Sequence, residues 1–307
     1  MASDRVKSLV ILAGSLGICT GWATAVLFFV LEKRTTGPVK QDDYGKIPLP
    51  DHDAAKYGLP NSMGLRVQKE YVVAFDWRTR NPLWVAQTLK AEDRPKDRPS
   101  RQGIGFTVDK SVPQLFRTHA KDFTNSGFDR GHLAPAGDSI SQEGLKETFL
   151  MVNISPQVGK GFNQDYLVRF EQFVRRLLNR YEEVNIISGP LFIPESNNAN
   201  VVQYPVIENN IAVPTHFFKA VLTSKSTVFG GKQYQAATFI FPNKPIDPST
   251  KLLSFRVPLK HLESKAGLLL WDQIDRSQIS DLCSPTAIDC SLGRLAKNKQ
   301  KTFRQGI

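Results

Sequence analysis

The chain has 307 residues, 41% of them apolar, enough for one sizeable packed domain with appendages and too apolar for an intrinsically disordered chain. Its three cysteines, Cys19, Cys283 and Cys290, are too few for a disulfide-stapled scaffold and lack the CxxC spacing of a structural zinc site; whether the last two pair stays open. Lys and Arg number 40 against 29 Asp and Glu, and the formal charge of +11 favours a polyanionic partner, nucleic acid or an acidic membrane surface.

In chain order, residues 8–31 ("SLVILAGSLGICTGWATAVLFFVL") carry no charge and are flanked by Arg5 and Lys7 before and Lys33 and Arg34 after. At about 1.5 Å rise per residue this stretch can cross a hydrocarbon core about 30 Å thick, and it exceeds the roughly 7 to 15 apolar residues of a cleaved secretory signal. Residues 1–34 are therefore expected to be a membrane anchor or targeting segment, one transmembrane helix, whose orientation the cations on both flanks do not fix. Gly17 and Gly21 form a GxxxG pair that could bring two such helices together. Residues 35–56 turn polar and rich in Pro, Asp, Lys and Gly, as a linker does.

The soluble part starts near Tyr57. Two β-branched and aromatic runs, Val72 to Asp76 and Leu83 to Thr88, are split by "RTRNP" and predict a hairpin. Further strands are expected at "EVNIISGP", "IAVPTHFFKAVLT" and "QYQAATFIFP". After Phe162, Leu167, Phe170, Val174, Leu177, Leu178 and Tyr181 recur at three and four, the period of an amphipathic helix. Strands dominate, so the predicted class is α+β with a mostly antiparallel sheet flanked by helices. The basic end, within residues 273–307, reads as a solvated tail.

Two segments carry chemistry. In "GFDRGHLAPAGD" (127–138) an extended backbone would put Arg130 and His132 on one face, a permanent cation beside a titratable base. In "FNQDYLVRFEQFVRRLLNRY" (162–181) helical geometry places Asn163, Glu171 and Arg175 along one flank of the apolar stripe. Each also has a structural reading: Asn163 as a helix N-cap, Glu171 with Arg175 as an i,i+4 pair worth a few tenths of a kcal/mol. Asp138 and Asp165 could be metal ligands, but turn or cap roles suit them better. His216 reads as a satisfied core residue, and His52, His119 and His261 as surface residues. "NIS" at Asn153 fits a glycosylation acceptor by pattern only.

Together, "DRGH" (129–132), "NISPQ" (153–157), "FNQDY" (162–166), Glu171 and Arg175 resemble the ββα-metal superfamily of DNA/RNA non-specific endonucleases, specifically its mitochondrial endonuclease G branch. The likeness extends through "YGLP", "VQKEYVVAFDWRTRNPLWV", "SGPLFIP", "AVPTHFFK" and "FRVPLKHLESKAGLLL", so a nuclease domain is expected over residues 57–272. Leu167 departs from the family's usual tryptophan, and Asp138 stands where relatives vary. The resemblance implies His132 as a general base titrating near neutrality, Asn163 as the single direct ligand of Mg²⁺ (with Mn²⁺ able to substitute), and Glu171 accepting hydrogen bonds from water on the metal. Arg130 and Arg175, with Arg101 on a looser alignment, would hold substrate phosphate. It further implies DNA and RNA as substrates, 5′-phosphate and 3′-hydroxyl products, a homodimer, and the mitochondrial inner membrane or intermembrane space. The rival readings are a catalytically silent nucleic-acid-binding membrane protein of the same fold and a phosphodiesterase acting on small nucleotides.

Overall fold

The computed structural model describes residues 50–60, 64–93, 98–194, 200–284, 288 and 290–293. The expected anchor at residues 8–31, its GxxxG pair, most of the linker and the end of the basic tail lie outside them; among the described residues no helix is long and apolar enough to cross a membrane.

The central element is an eight-stranded sheet in the order β1 (Leu65–Val67), β2 (Val72–Asp76), β3 (Asn81–Lys90), β6 (Glu183–Leu191), β9 (His216–Ser226), β10 (Lys232–Pro242) and β11 (Arg256–Val257), with β12 (Ile279–Asp281) also on β10. Neighbours are antiparallel except β10 and β12, as the α+β expectation requires. A two-stranded ribbon, β4 (Asp129–His132) with β5 (Ile154–Gln157), and a smaller one, β7 (Val206–Ile207) with β8 (Ile211–Ala212), lie apart from it. The helices are α1 (Gln142–Thr148), α2 (Tyr166–Leu177) and α3 (Leu259–Ala266).

Alternation along the strands explains the layering. In β2, Val73 and Phe75 join one core cluster while Val72 and Ala74 join another; in β9, Phe217 and Val221 face the first and Phe218, Ala220 and Leu222 the second. Both sheet faces are thus buried, and their strands read as near-continuous apolar runs rather than half-polar ones. The first cluster takes Phe170, Phe173, Val174 and Leu177 of α2, whose three-and-four spacing presents them together. The second is closed by Leu262 of α3 and by Leu268, Leu270 and Trp271 after it.

The predicted hairpin is β2 with β3, turned at Arg80 in the left-handed region (φ +54°). "IAVPTHFFKAVLT" does not run as one strand: β8 and β9 flank a break at Val213–Thr215, where Pro214 has no N–H to give a ladder. The helix begins at Tyr166, so Asn163 is not in it and does not cap it. Asn163 closes a turn, Gly159–Asn163, in which Gly161 takes φ +85° and a side chain there would meet Pro245 Cβ at 2.9 Å. Beyond Trp271 the chain keeps contributing to the core: Leu282 is fully buried, and Cys283 is bonded to Cys290 across a Cα separation of 5.4 Å.

Phe170 lies within 5.4 Å of Phe241, 5.6 Å of Phe239 and 6.0 Å of Phe173, ring centre to ring centre. Phe170→Ala is expected to lose about 3–5 kcal/mol by equilibrium denaturation, whereas Phe229→Ala, at a fully exposed position, stays within about 0.5 kcal/mol of wild type.

Candidate active site

The ribbon, the Gly159–Asn163 turn and α2 form one continuous ββα unit, and it gathers the residues singled out in the sequence. Strand β4 pairs with β5 in the register Arg130 to Pro156, Gly131 to Ser155 and His132 to Ile154. Arg130 and His132 share a face, and both meet Phe106: the guanidinium carbon sits 4.8 Å from the ring centre and the imidazole 5.5 Å. Arg130 also donates to the Ala120 carbonyl at 3.3 Å. Gly131 is required by packing rather than by backbone conformation. It lies in regular strand, and what forbids a side chain is Gln157, whose Cδ sits 2.1 Å from where a Cβ would be.

On the other face of β4, Asp129 organises the amides. Its Oδ2 accepts from Asn163 Nδ2 and from Gln164 Nε2, each at 2.9 Å. Because Nδ2 is the committed end, Asn163 Oδ1 is left to accept or to ligate. Among the described residues no group of three or more His, Cys, Asp or Glu could hold a metal, so a tightly caged soft metal does not fit. A hard cation that keeps most of its water and takes one amide oxygen does fit this donor set. Asp129, not foreseen as a site residue, was legible only as the acid of "DRGH". Asp165 is a turn residue, its Oδ2 accepting from Gly161 N at 2.6 Å.

His132 packs edge-on against Phe149 at 4.9 Å between centres, and its Nε2 is enclosed with no hydrogen-bond partner among the described residues. Burial, and then the Arg101 charge, push its pKa down to about 3, well below the near-neutral value expected. Near neutral pH the ring is an unprotonated acceptor.

Helix α2 supplies the charges. Glu171 and Arg175 are more than an i,i+4 pair: their closest approach is 3.9 Å, while Arg175 Nη1 binds Asp138 Oδ1 at 2.5 Å. Asp138 in turn accepts from Gln87 Nε2 at 3.0 Å, so its role is to seat Arg175 rather than to bind metal. Arg101 joins this group: a Cβ at Gly137 would lie 3.4 Å from Arg175 Nη1 and 3.9 Å from Arg101 Nη2. Burial, with Asp138 adding to it, lifts Glu171 to about 7 against the opposing pull of Arg175, Lys219 and Arg101. Arg175 is raised overall because Asp138 and Glu171 outweigh its burial.

The remaining candidates fall outside the site. His216 opens β9 with its ring Nδ1 3.0 Å from Thr215 Oγ1. His52 Nδ1 accepts from Ala54 N at 3.0 Å, His119 is 42% exposed beside Asp122, and His261 is exposed. Asn153 is fully buried, its side chain bonded to Ala134 and Thr148 backbone, which no glycan could reach.

Residues 50–277 match the sequence profile of the family described as DNA/RNA non-specific endonuclease. The chain is similar to "Nuclease 1, mitochondrial" of Schizosaccharomyces pombe, 38% identical over 266 residues that cover 83% of this chain and 82% of the relative. Human "Endonuclease G, mitochondrial" is 38% identical over 221 residues, 71% of this chain and 72% of its own. Among solved structures, an EndoG/EndoGI complex superposes with a TM-score of 0.69 at 37% identity, covering 74% of this chain and 93% of that one.

A carboxyl with a folded pKa of about 7 holds its proton more tightly in the folded than in the unfolded chain, so Glu171 favours the fold at low pH and opposes it as pH rises from about 4.5 through 7. In EDTA, Glu171→Gln is therefore expected to melt a few degrees above wild type at pH 8, a gain of about 1–3 kcal/mol that shrinks severalfold by pH 5. Thermal melts at the two pH values check this.

Proposed function

The chain belongs to the DNA/RNA non-specific endonuclease family, and from that premise we propose that it hydrolyses phosphodiester bonds of DNA and RNA with little sequence preference, using Mg²⁺ and leaving 5′-phosphate and 3′-hydroxyl ends. The observation that carries the reading is that one ββα unit holds both the Arg130 and His132 face and, through Asp129 of the same strand, a pinned Asn163 amide.

His132 takes the proton of the attacking water. Among the described residues no group pairs with its Nε2, and Arg101 disfavours a second proton. An arriving phosphodiester brings negative charge into the same desolvated space and makes the ring a stronger base when one is needed. Asn163 Oδ1 would hold the Mg²⁺, which when bound polarises the scissile phosphate. Glu171, as a carboxylate, would accept hydrogen bonds from the water around that ion. Arg130, Arg175 and Arg101 would grip the phosphate oxygens and meet the charge that builds on phosphorus. The excess of cations suits a partner read mainly through its backbone.

For location, the support is resemblance and the N-terminal sequence. The named relatives are mitochondrial, and the uncharged residues 8–31 suit a membrane tether, so we place the protein at the mitochondrial inner membrane or in the intermembrane space. The homodimer rests on the family likeness alone.

Plasmid DNA incubated with the protein is expected to be nicked in Mg²⁺ and left intact in EDTA; intact plasmid under both conditions rejects the proposal. His132→Ala should lower turnover about 10²- to 10⁴-fold while binding persists, since the base acts on the reaction and other residues hold the substrate. More than about a tenth of wild-type turnover would remove His132 from that role. Asn163→Ala should raise the Mg²⁺ concentration giving half-maximal rate, because it removes the amide oxygen while Asp129 stays engaged by Gln164. A Mg²⁺ titration of initial rates measures it, and an unchanged midpoint would move the metal elsewhere.

A further inference from the structure

Lys219 is a buried cation that the chemistry above leaves unused. It lies in the middle of β9, in register with Ser188 of β6 and Phe239 of β10, and is 3% exposed. Its neighbours on the same sheet face, Phe217 and Val221, belong to the apolar core. An ammonium in that position is costly to desolvate, and a residue that only filled space would be apolar.

Its surroundings connect it to the site from below. Nζ donates to the carbonyl of Leu133, the residue directly after His132, at 3.0 Å. That backbone is clamped on its other side by Asn153, whose carbonyl accepts from Leu133 N at 3.0 Å and whose Oδ1 accepts from Ala134 N at 2.9 Å. Lys219 also lines, with Gln87, Leu133, Asp138 and Glu171, a cavity of about 10 Å³, room for about one water. Two carboxyl groups, of Asp138 and Glu171, therefore share this space with the ammonium. The charges acting on Glu171 are Asp138, which opposes its ionisation, and Arg175 on its own helix, Arg101 from the preceding loop and Lys219 from the sheet, which favour it.

We propose that Lys219 is a positioning residue of the nuclease reaction: its buried ammonium fixes the carbonyl adjoining the base and supplies, from the sheet side, positive charge beside the Glu171 carboxyl. This rests on the nuclease reading given above. Burial lowers Lys219 to about 8, with Glu171 and Asp138 holding it up, so it remains mostly a cation at pH 7. Removing the cation leaves the carboxylate pair with the arginines alone, and ionisation of Glu171 then requires higher pH.

Full-length Lys219→Met, matched in length but uncharged, is the test. It is expected to fold with a melting temperature below that of wild type, because the Glu171 and Asp138 carboxyls lose a buried counter-charge and the Leu133 carbonyl loses its donor. Its kcat on plasmid DNA should fall about 10- to 100-fold with little change in KM, as for loss of a residue that orients reacting groups. The acid limb of its pH–rate profile should move to higher pH, and Lys219→Arg should recover part of the rate. Wild-type kcat with an unshifted acid limb would overturn the proposal, and so would a rate lowered equally at every pH. A ¹³C NMR titration of the Glu171 carboxyl reads the same coupling without turnover: a midpoint about one unit higher in Lys219→Met supports the assignment, and an unmoved midpoint rejects it. Wild-type protein that leaves plasmid intact would defeat the nuclease reading, while the NMR comparison still decides the role of Lys219.

Discussion

The site depends on one constraint: charge buried between helix α2, the segment after β4 and the central sheet. Arg175 is held by Asp138, Asp138 by Gln87 of β3, and Glu171 stands one helical turn before Arg175 with the Lys219 ammonium acting on it from β9. Four separate parts of the chain contribute, and their burial together sets the protonation of Glu171 and the orientation of Arg175. Packing of the aromatic core under α2 is what presses them together, so the stability of that core and the chemistry of the site are linked through one helix.

The constraint works in two directions. Desolvation keeps His132 unprotonated, which a base needs, and pushes Glu171 toward its neutral form, which an acceptor of hydrogen bonds does not need. Cations around Glu171 offset the second effect without undoing the first, because Arg101 acts on both residues: it lowers the base and lowers the acid. A site that must bind a polyanion can carry this surplus of positive charge, since substrate neutralises it on arrival. The unfavourable ionisation of Glu171 in the free protein is stability given up for function.

Much of this was legible in the sequence. The hairpin at Val72, the period of α2 and the shared face of Arg130 and His132 reappear in three dimensions, whereas Asn163 lies in the turn before the helix rather than along its flank. What was not legible depends on contacts between distant segments. Asp129 beside Asn163, Gln87 beneath Asp138 and Lys219 beneath Leu133 are separated by 34, 51 and 86 positions, and no local pattern reports such pairs. The low basicity of His132 has the same origin, because its burial is made by Phe106 and Phe149. One signal was available: a lysine inside "HFFKAVLT", a run otherwise apolar enough to be a buried strand, breaks the expected pattern where something must be compensated.

The most direct test of the account is the protonation state of the base itself. A ¹H–¹⁵N NMR titration of the His132 imidazole in the metal-free protein should show a neutral ring from pH 8 down to about pH 5, because desolvation and Arg101 hold its pKa far below the ordinary value. A ring that gained its second proton with a midpoint near 6.5, as an exposed histidine does, would contradict a desolvated site built around buried charge.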